Sequence, residues 1–88
     1  MSVIEKLKHS GKDFLVADIE TALTFVQLAR SADNNSEKKV RNLANARKAH
    51  DTVRALAARL HLSPKQQTEV NEKLKTLKTE LEALGENF

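Results

Sequence analysis

Hydrophobic residues recur at helical spacing along the C-terminal part of the chain. They are separated by intervals of three and four residues and comprise Val70, Leu74, Leu77, Leu81 and Leu84. Such spacing places a narrow apolar seam on one face of a helix. Before the seam, Ser63 is suited to cap the helix, Pro64 to occupy its first position, and Gln66 to complete a capping box. Gly85 follows where helices commonly end, so the pattern predicts a helix over residues 64–84.

A second apolar stripe, rich in alanine, lies in the middle of the chain. It falls within an arc of about 100° on a helical projection and comprises Ala46, Ala49, Val53, Leu56, Ala57 and Leu60. A cluster of turn-forming residues at 33–36 precedes the stripe, and either Asn34 with Glu37 or Ser36 alone is suited to cap a helix there. Because small side chains let a neighbouring helix approach closely, the pattern predicts a tightly packed helix over residues 37–60.

The first long segment carries an apolar face that covers more than half of the helix circumference. Its members are Phe14, Leu15, Ala17, Ile19, Ala22, Leu23, Phe25, Val26, Leu28 and Ala29. A face this wide contacts two neighbouring helices, or one neighbour and a partner. Upstream, Val3, Ile4 and Leu7 fit two further helical turns, but Gly11 is suited to break or bend the chain. The sequence therefore leaves open whether this helix begins near residue 3 or near residue 12.

The connection between the second and third predicted helices is only two residues long, His61 and Leu62. A link this short favours antiparallel neighbours. We therefore expect an all-α fold, an antiparallel three-helix bundle over residues 12–85, with helices at about 12–31, 37–60 and 64–84. Residues 1–11 are expected to form an N-terminal appendage, with or without a short extra helical turn.

The composition limits the classes of function that the chain supports. With 88 residues and 9.8 kDa, it has room for one modest core and none for a deep enclosed active site. The absence of cysteine excludes a disulfide scaffold, a thiolate zinc site and a cysteine nucleophile. The only glycines, Gly11 and Gly85, are too few for a phosphate-binding loop. No apolar run is long enough to span a membrane and no signal peptide is recognisable, so we expect a cytoplasmic location without membrane contact.

The adjacent residues His50 and Asp51 are the one pair in the sequence that is typical of a metal-binding site. In metal-dependent phosphohydrolases such a pair supplies metal ligands, but further histidines from other helices are required. The remaining histidines, His9 and His61, both lie at segment ends. We therefore expect His50 to flank the packed face and Asp51 to be solvated, in a protein that is not an enzyme and has no cofactor or metal.

A carboxylate at an unusual position suggests a binding surface. Asp18 projects among Phe14, Ala22 and Phe25, inside the apolar arc of the first helix, and a buried carboxylate needs a partner. It either forms a salt bridge that aligns the helices, reaches water at the helix edge, or makes a polar contact in a binding groove. Arg47, His50 and Arg54 lie at the border of the apolar stripe of the middle helix and are suited to pair with Asp18. The candidate partner interface therefore comprises Phe14, Asp18, Phe25, Arg47, His50 and Arg54.

Positive charge is concentrated in the middle helix. The whole chain has a net charge of +3, whereas residues 37–60 contain seven basic and two acidic residues, a net charge of +5. Arg41, Lys48 and Arg59 project within about 20° of one another, and such a stripe is suited to contact phosphates. No aromatic residue interleaves with this basic stripe to stack on bases. The stripe also fits a solvated helix face or a surface that binds an acidic protein.

The predicted arrangement resembles the short helical bundles of the tetratricopeptide-like and microtubule-interacting-and-transport (MIT) class. The residues that carry the resemblance are Ala22, Leu23, Leu28 and Ala29 in the first helix and residues 46–53 in the second. Ala46, His50 and Val53 match the alanine–aromatic–apolar spacing typical of such second helices, with histidine where tyrosine or phenylalanine is usual. The resemblance covers roughly residues 13–84, without the tetratricopeptide Trp, Gly and Pro positions. The stretch also looks like small uncharacterised bacterial helical proteins.

The resemblance implies that a partner helix or tail binds in a groove between helices. Together with the wide apolar face of the first helix, it favours a small non-enzymatic protein-interaction module or accessory subunit. Such a module binds a partner helix or self-associates, since exposed apolar patches usually mark interfaces. The alternative is a nucleic-acid-associated protein that contacts phosphates through Arg41, Lys48 and Arg59.

Overall fold

Three helices make up the fold seen in the computed structural model, which describes residues 3–32 and 36–88. They are α1 (Val3–Ser31), α2 (Glu37–Arg59) and α3 (Pro64–Ala83), and the described residues contain no strand. All three helices contact one another, with the most extensive contact between α1 and α2. The predicted all-α three-helix bundle is therefore confirmed. None of the helices in the described part of the chain combines the length and the apolar character that a membrane crossing needs.

The first helix is continuous through Gly11. Residues 3–11 therefore belong to α1 rather than to a separate appendage, which answers the question that the sequence left open. A glycine inside a helix costs only about 1 kcal/mol relative to alanine. It also permits a close approach, since a Cβ added to Gly11 would lie 3.3 Å from the Cδ1 atom of Leu60. Gly11 is thus a point of tight contact between α1 and the end of α2.

The helix starts use the side chains that the sequence offers for capping. Ser36 caps α2, because its hydroxyl accepts a hydrogen bond from the Lys39 backbone N–H at 3.1 Å. The other candidate, Asn34, lies outside the described residues. In α3 the Ser63 hydroxyl accepts from the Gln66 N–H at 3.2 Å, while the Gln66 side chain accepts from the Ser63 N–H at 3.0 Å. The predicted capping box is therefore confirmed.

The end of α3 is a Schellman motif. Gly85 adopts a φ of 95°, which disfavours a side chain, and its N–H donates to the Glu82 carbonyl at 3.0 Å. The next N–H, that of Glu86, donates to the Leu81 carbonyl at 3.1 Å. This reversal turns residues 86–88 back towards α2, which brings the C-terminal residues into the candidate site described below.

The core lies along the axis of the bundle. Its fully or almost fully buried members are Leu15, Ile19, Ala22, Val26, Ala46, Val53, Ala57, Val70, Leu74, Leu77 and Leu81. Ala46 and Ala57 of α2 belong to this core, and their small side chains are compatible with close approach of the neighbouring helices. Two polar residues of α2 are also buried, Asn42 and His50. Asn42 donates its amide to the Lys38 carbonyl one turn earlier at 3.0 Å, so its burial leaves no unsatisfied donor.

Two ion pairs connect the parallel helices α1 and α3. Near one end of the bundle, Lys12 Nζ lies 3.3 Å from Glu69 Oε2. Near the other end, Arg30 pairs with Glu80. Both pairs are partly exposed and screened by solvent, so their main effect is to fix how the two helices align.

Candidate functional site

Four of the six candidate interface residues predicted from the sequence line two grooves, one on each side of α2, and the other two, Phe14 and Arg47, line neither groove. The groove between α1 and α2, called the α1–α2 groove, has a volume of about 400 Å³ and is lined by Asp18, Thr21, Phe25, Asn45, Lys48, Ala49 and Thr52. The groove between α2 and α3, called the α2–α3 groove, has a volume of about 410 Å³ and is lined by His50, Arg54, Asn71, Leu74, Lys75, Lys78 and Phe88.

The α1–α2 groove combines an aromatic wall with two opposite charges. Phe25 is half-buried, and Phe14 lies three helical turns before it on the same edge of α1 with 59% of its surface exposed. Asp18 lies between the two phenylalanines, and Lys48 lines the groove from α2. Within the described residues, neither Asp18 nor Lys48 has an ion pair closer than 4.0 Å. This groove therefore offers an unneutralised acid, an unneutralised base and exposed aromatic surface.

The partners considered for Asp18 in the sequence lie elsewhere. Arg47 pairs with Asp51 and Glu86, while His50 and Arg54 line the α2–α3 groove. The three residues are therefore not assembled with Asp18 into one interface. The physical reason is that they occupy the edge of α2 that faces α3, whereas Asp18 faces the opposite edge.

Arg47 is the most connected polar side chain of the described residues. Its Nε lies 3.2 Å from both carboxylate oxygens of Asp51, one turn later on α2. Its Nη1 donates to the Asn87 carbonyl at 2.5 Å and lies 3.4 Å from Glu86 Oε1. Its guanidinium also covers one face of the Phe88 ring. Arg47 thus attaches the segment that follows α3 to the middle of α2.

The predicted pair His50 and Asp51 is a packed hydrogen-bonded pair. His50 is buried, its Nδ1 lies 2.9 Å from Asp51 Oδ1, and its ring meets that of Phe88 edge-on at 4.8 Å between centroids. The hydrogen bond from His50, reinforced by Arg47, holds the pKa of Asp51 below its usual range. Among the described residues, no group of three or more histidine, cysteine or carboxylate side chains is arranged to hold a metal ion.

The α2–α3 groove is positively charged, and much of this charge was missed from the sequence. Arg54 on α2 faces Lys75 and Lys78 on α3, and no aspartate or glutamate side chain of the described residues lines the groove. Asn71, Lys75 and Lys78 are spaced by four and three residues, so they share one edge of α3. The sequence shows that these residues share one edge of α3. Only the three-dimensional arrangement shows that this edge lies beside α2, where Arg54 adds a third positive charge.

The basic stripe of α2 is exposed, as the sequence suggests. Arg41, Lys48 and Arg59 are all at the surface, and none has an ion pair among the described residues. They span about 27 Å along α2 at 1.5 Å per residue. The stripe points away from α3 and the α2–α3 groove, so the two basic regions do not form one continuous surface.

A further depression, with a volume of about 630 Å³, is lined mostly by residues of α2 and by Glu86. Its charged residues are Arg47, Lys48, Asp51 and Glu86. Arg47 pairs with both Asp51 and Glu86, so Lys48, which also lines the α1–α2 groove, is the one charged side chain of this depression without an ion pair among the described residues.

Comparisons with known proteins give no family for this chain. A scan against protein-family models, a search of curated proteins and a search of solved structures each find no match. The resemblance to MIT and tetratricopeptide-like bundles therefore stays a prediction, and the functional argument rests on the two grooves.

Proposed function

We propose that this protein is a small non-enzymatic interaction module of the cytoplasm that self-associates through its α1–α2 groove. The observation that carries the proposal is the pair of unneutralised charges, Asp18 and Lys48, in a groove bordered by exposed phenylalanine. A second copy of the chain is the proposed occupant, because this set of groups is complementary to itself.

The self-complementarity follows from the symmetry of dimers. In a two-fold interface the same patch is used on both copies, so a residue pair between the copies occurs twice. One acid and one base in the same groove satisfy this condition, since Asp18 of each copy would meet Lys48 of the other. Two new ion pairs would then form from charges that have no ion-pair partner among the described residues of the single chain.

The aromatic residues supply the apolar part of the proposed interface. Phe14 exposes 59% of its surface, and Phe25 is half-buried beside Asp18. Aromatic side chains are enriched at the centres of interfaces, where they bury large areas. Because Thr21, Ala49 and Thr52 keep the groove open between α1 and α2, a phenylalanine from a second copy has space to enter.

Light scattering on a sizing column, over a range of protein concentrations, tests the proposal. We expect a dimer that Asp18→Lys or Lys48→Glu weakens by about tenfold or more, as the loss of buried interface charge pairs implies. The double variant carrying both changes should recover the dimer, because the swapped charges pair again between copies. Glu20→Lys and Lys65→Glu, which change exposed residues outside the groove, are the matched controls.

A monomer at every concentration would refute self-association. The amphipathic helix of a different protein would then be the leading occupant. An apolar variant gives an independent check, since Phe14→Glu should abolish the dimer while the helical circular dichroism persists. Val40→Glu is its control, because Val40 is 62% exposed and lies on α2 outside both grooves.

Nucleic-acid binding is the second candidate function. It is favoured by the exposure of Arg41, Lys48 and Arg59 and by their lack of ion pairs among the described residues. Binding through this stripe should fall steeply as salt is raised. Changing all three residues to glutamate should abolish it, and unchanged binding by that variant would exclude the stripe.

A further inference from the structure

Among the described residues, no ion pair joins α2 to α3, whereas two ion pairs join α1 to α3. Lys12 and Arg30 of α1 each pair with a glutamate of α3. By contrast, Arg54, Lys75 and Lys78 converge on the α2–α3 groove, and none has an ion pair among the described residues. Like charges gathered in this way repel one another and oppose the packing of α3 on α2.

We infer that the α2–α3 groove binds a polyphosphate anion of the pyrophosphate class, either free or as part of a nucleotide. Such a ligand would neutralise the three cations and remove the repulsion across the groove. This site is separate from the α1–α2 groove, and the inference does not depend on the proposed function.

The choice of phosphate follows from the amount of charge in a small space. One phosphate group carries about −1.5 to −2 charges at pH 7 and three acceptor oxygens, whereas a carboxylate carries a single charge. Lysine ammonium groups bind phosphate as point charges, and the arginine guanidinium can donate two parallel hydrogen bonds to it. Two linked phosphates therefore match Arg54, Lys75 and Lys78 better than one carboxylate does.

Asn71 adds a neutral donor at the same edge of α3. Its Oδ1 accepts a hydrogen bond from Gln67 Nε2 at 3.0 Å, so its amide nitrogen is left to donate into the groove. Leu74 and Phe88 form an apolar part of the lining. The Phe88 ring is held in place by Arg47, at 3.9 Å from the ring centroid, and by the edge of His50. The groove is thus bordered by side chains that other contacts already position.

The neighbouring acidic residues do not neutralise the groove. Glu72 and Glu82 are exposed on α3 close to the lysines in sequence, but neither lines the groove nor forms an ion pair among the described residues. Asp51 is already bound by His50 and Arg47. A compact anion is favoured over a long nucleic-acid strand, because the groove and the basic stripe of α2 lie on different sides of that helix.

Isothermal titration with sodium pyrophosphate at low salt tests the inference, with backbone amide NMR shifts to locate the site. We expect saturable binding, with shifts concentrated at residues that line the α2–α3 groove. Arg54→Gln or Lys78→Gln should weaken binding about fivefold or more, while Lys65→Gln and Arg41→Gln should change it less than about twofold. Both controls remove the same charge from the same two helices, outside the groove.

Several results would overturn the inference. They are no saturable binding of pyrophosphate, equal weakening by the groove variants and the control variants, and amide shifts centred on Arg41 and Arg59. If the inference holds, a comparison of pyrophosphate with adenosine diphosphate distinguishes the two sources of the anion. Equal affinities would assign the free anion, and tighter binding of the nucleotide would assign a nucleotide whose base contacts Leu74 or Phe88.

Discussion

The guanidinium of Arg47 covers the ring of Phe88, with 3.9 Å between its central carbon and the ring centroid. These residues are far apart in the chain, and the Schellman turn at Gly85 brings them together. Lys78 approaches the same ring at 5.4 Å, and His50 meets it edge-on. Phe88 is therefore surrounded by cationic and aromatic groups even though 44% of its surface is exposed.

Replacing Arg47 should release the segment that follows α3. Arg47→Met keeps the length of the side chain but removes the contacts to Asp51, Glu86, Asn87 and the Phe88 ring. We expect a loss of about 1 kcal/mol in the free energy of unfolding, as for a partly exposed cation–π contact. Amide hydrogen exchange at Glu86 should accelerate. Arg59→Met is the control, and equal effects of the two changes would refute the role of Arg47.

The hydrogen bond from His50 should be visible in the titration of Asp51. Because His50 and Arg47 lower the pKa of Asp51, the carboxylate contributes stability above its ordinary pKa of 3.8, and that contribution is lost as the pH falls through the lower folded value. Carbon NMR of the Asp51 carboxyl group should show an inflection below 3.8. His50→Gln should move it upwards, and Arg47→Met should do so by less. A wild-type inflection at or above 3.8 would contradict this prediction.

Replacing an alanine of α2 by leucine should destabilise the fold at a buried position and have little effect at an exposed one. Ala46 is fully buried in the core, so Ala46→Leu adds a bulky side chain to a filled space. We expect a cost of about 1–3 kcal/mol, measured by urea unfolding. Ala58 is exposed on the same helix, and Ala58→Leu should change the free energy of unfolding by no more than about 0.5 kcal/mol. Equal effects on the free energy of unfolding would show that the core is not closely packed around Ala46.

The two glycines should respond to alanine with opposite signs. Gly11 lies inside α1, and the nearest atom to an added Cβ belongs to Leu60, a partly exposed side chain that is able to shift. Gly11→Ala should therefore raise the free energy of unfolding by up to about 1 kcal/mol through helix propensity. Gly85→Ala should lower it by about 1 kcal/mol, because alanine is strained at a positive φ. Thermal melts of both variants provide the check.

The fold was predictable because its signals are local. Helix starts at Ser36 and Ser63 and the end at Gly85 use short-range hydrogen bonds between residues a few positions apart. The predicted ends at 60 and 84 lie one residue beyond the observed Arg59 and Ala83. Gly11 was ambiguous, because a lone glycine is compatible both with the interior of a helix and with a break in it.

The site was less predictable, because it depends on which helix edges meet. A helical projection assigned Asp18 and Phe25 to the candidate interface and Lys48 to the basic stripe, whereas all three line one groove. The projection also grouped Asp18 and Phe25 with His50 and Arg54, which line the other groove. No periodicity in the sequence predicts the contact between Arg47 and Phe88, because that contact depends on the reversal of the chain after α3.

The parallel alignment of α1 and α3 also determines how the bundle can be used in experiments. An odd number of alternating helices places the start of α1 and the end of α3 at opposite ends of a body whose longest dimension is 49 Å. A fluorophore attached at Val3 is therefore far from one attached at Ala83. Energy transfer between such labels would be incomplete in the folded chain and would report directly on whether the bundle keeps its length when a second copy or an anion binds.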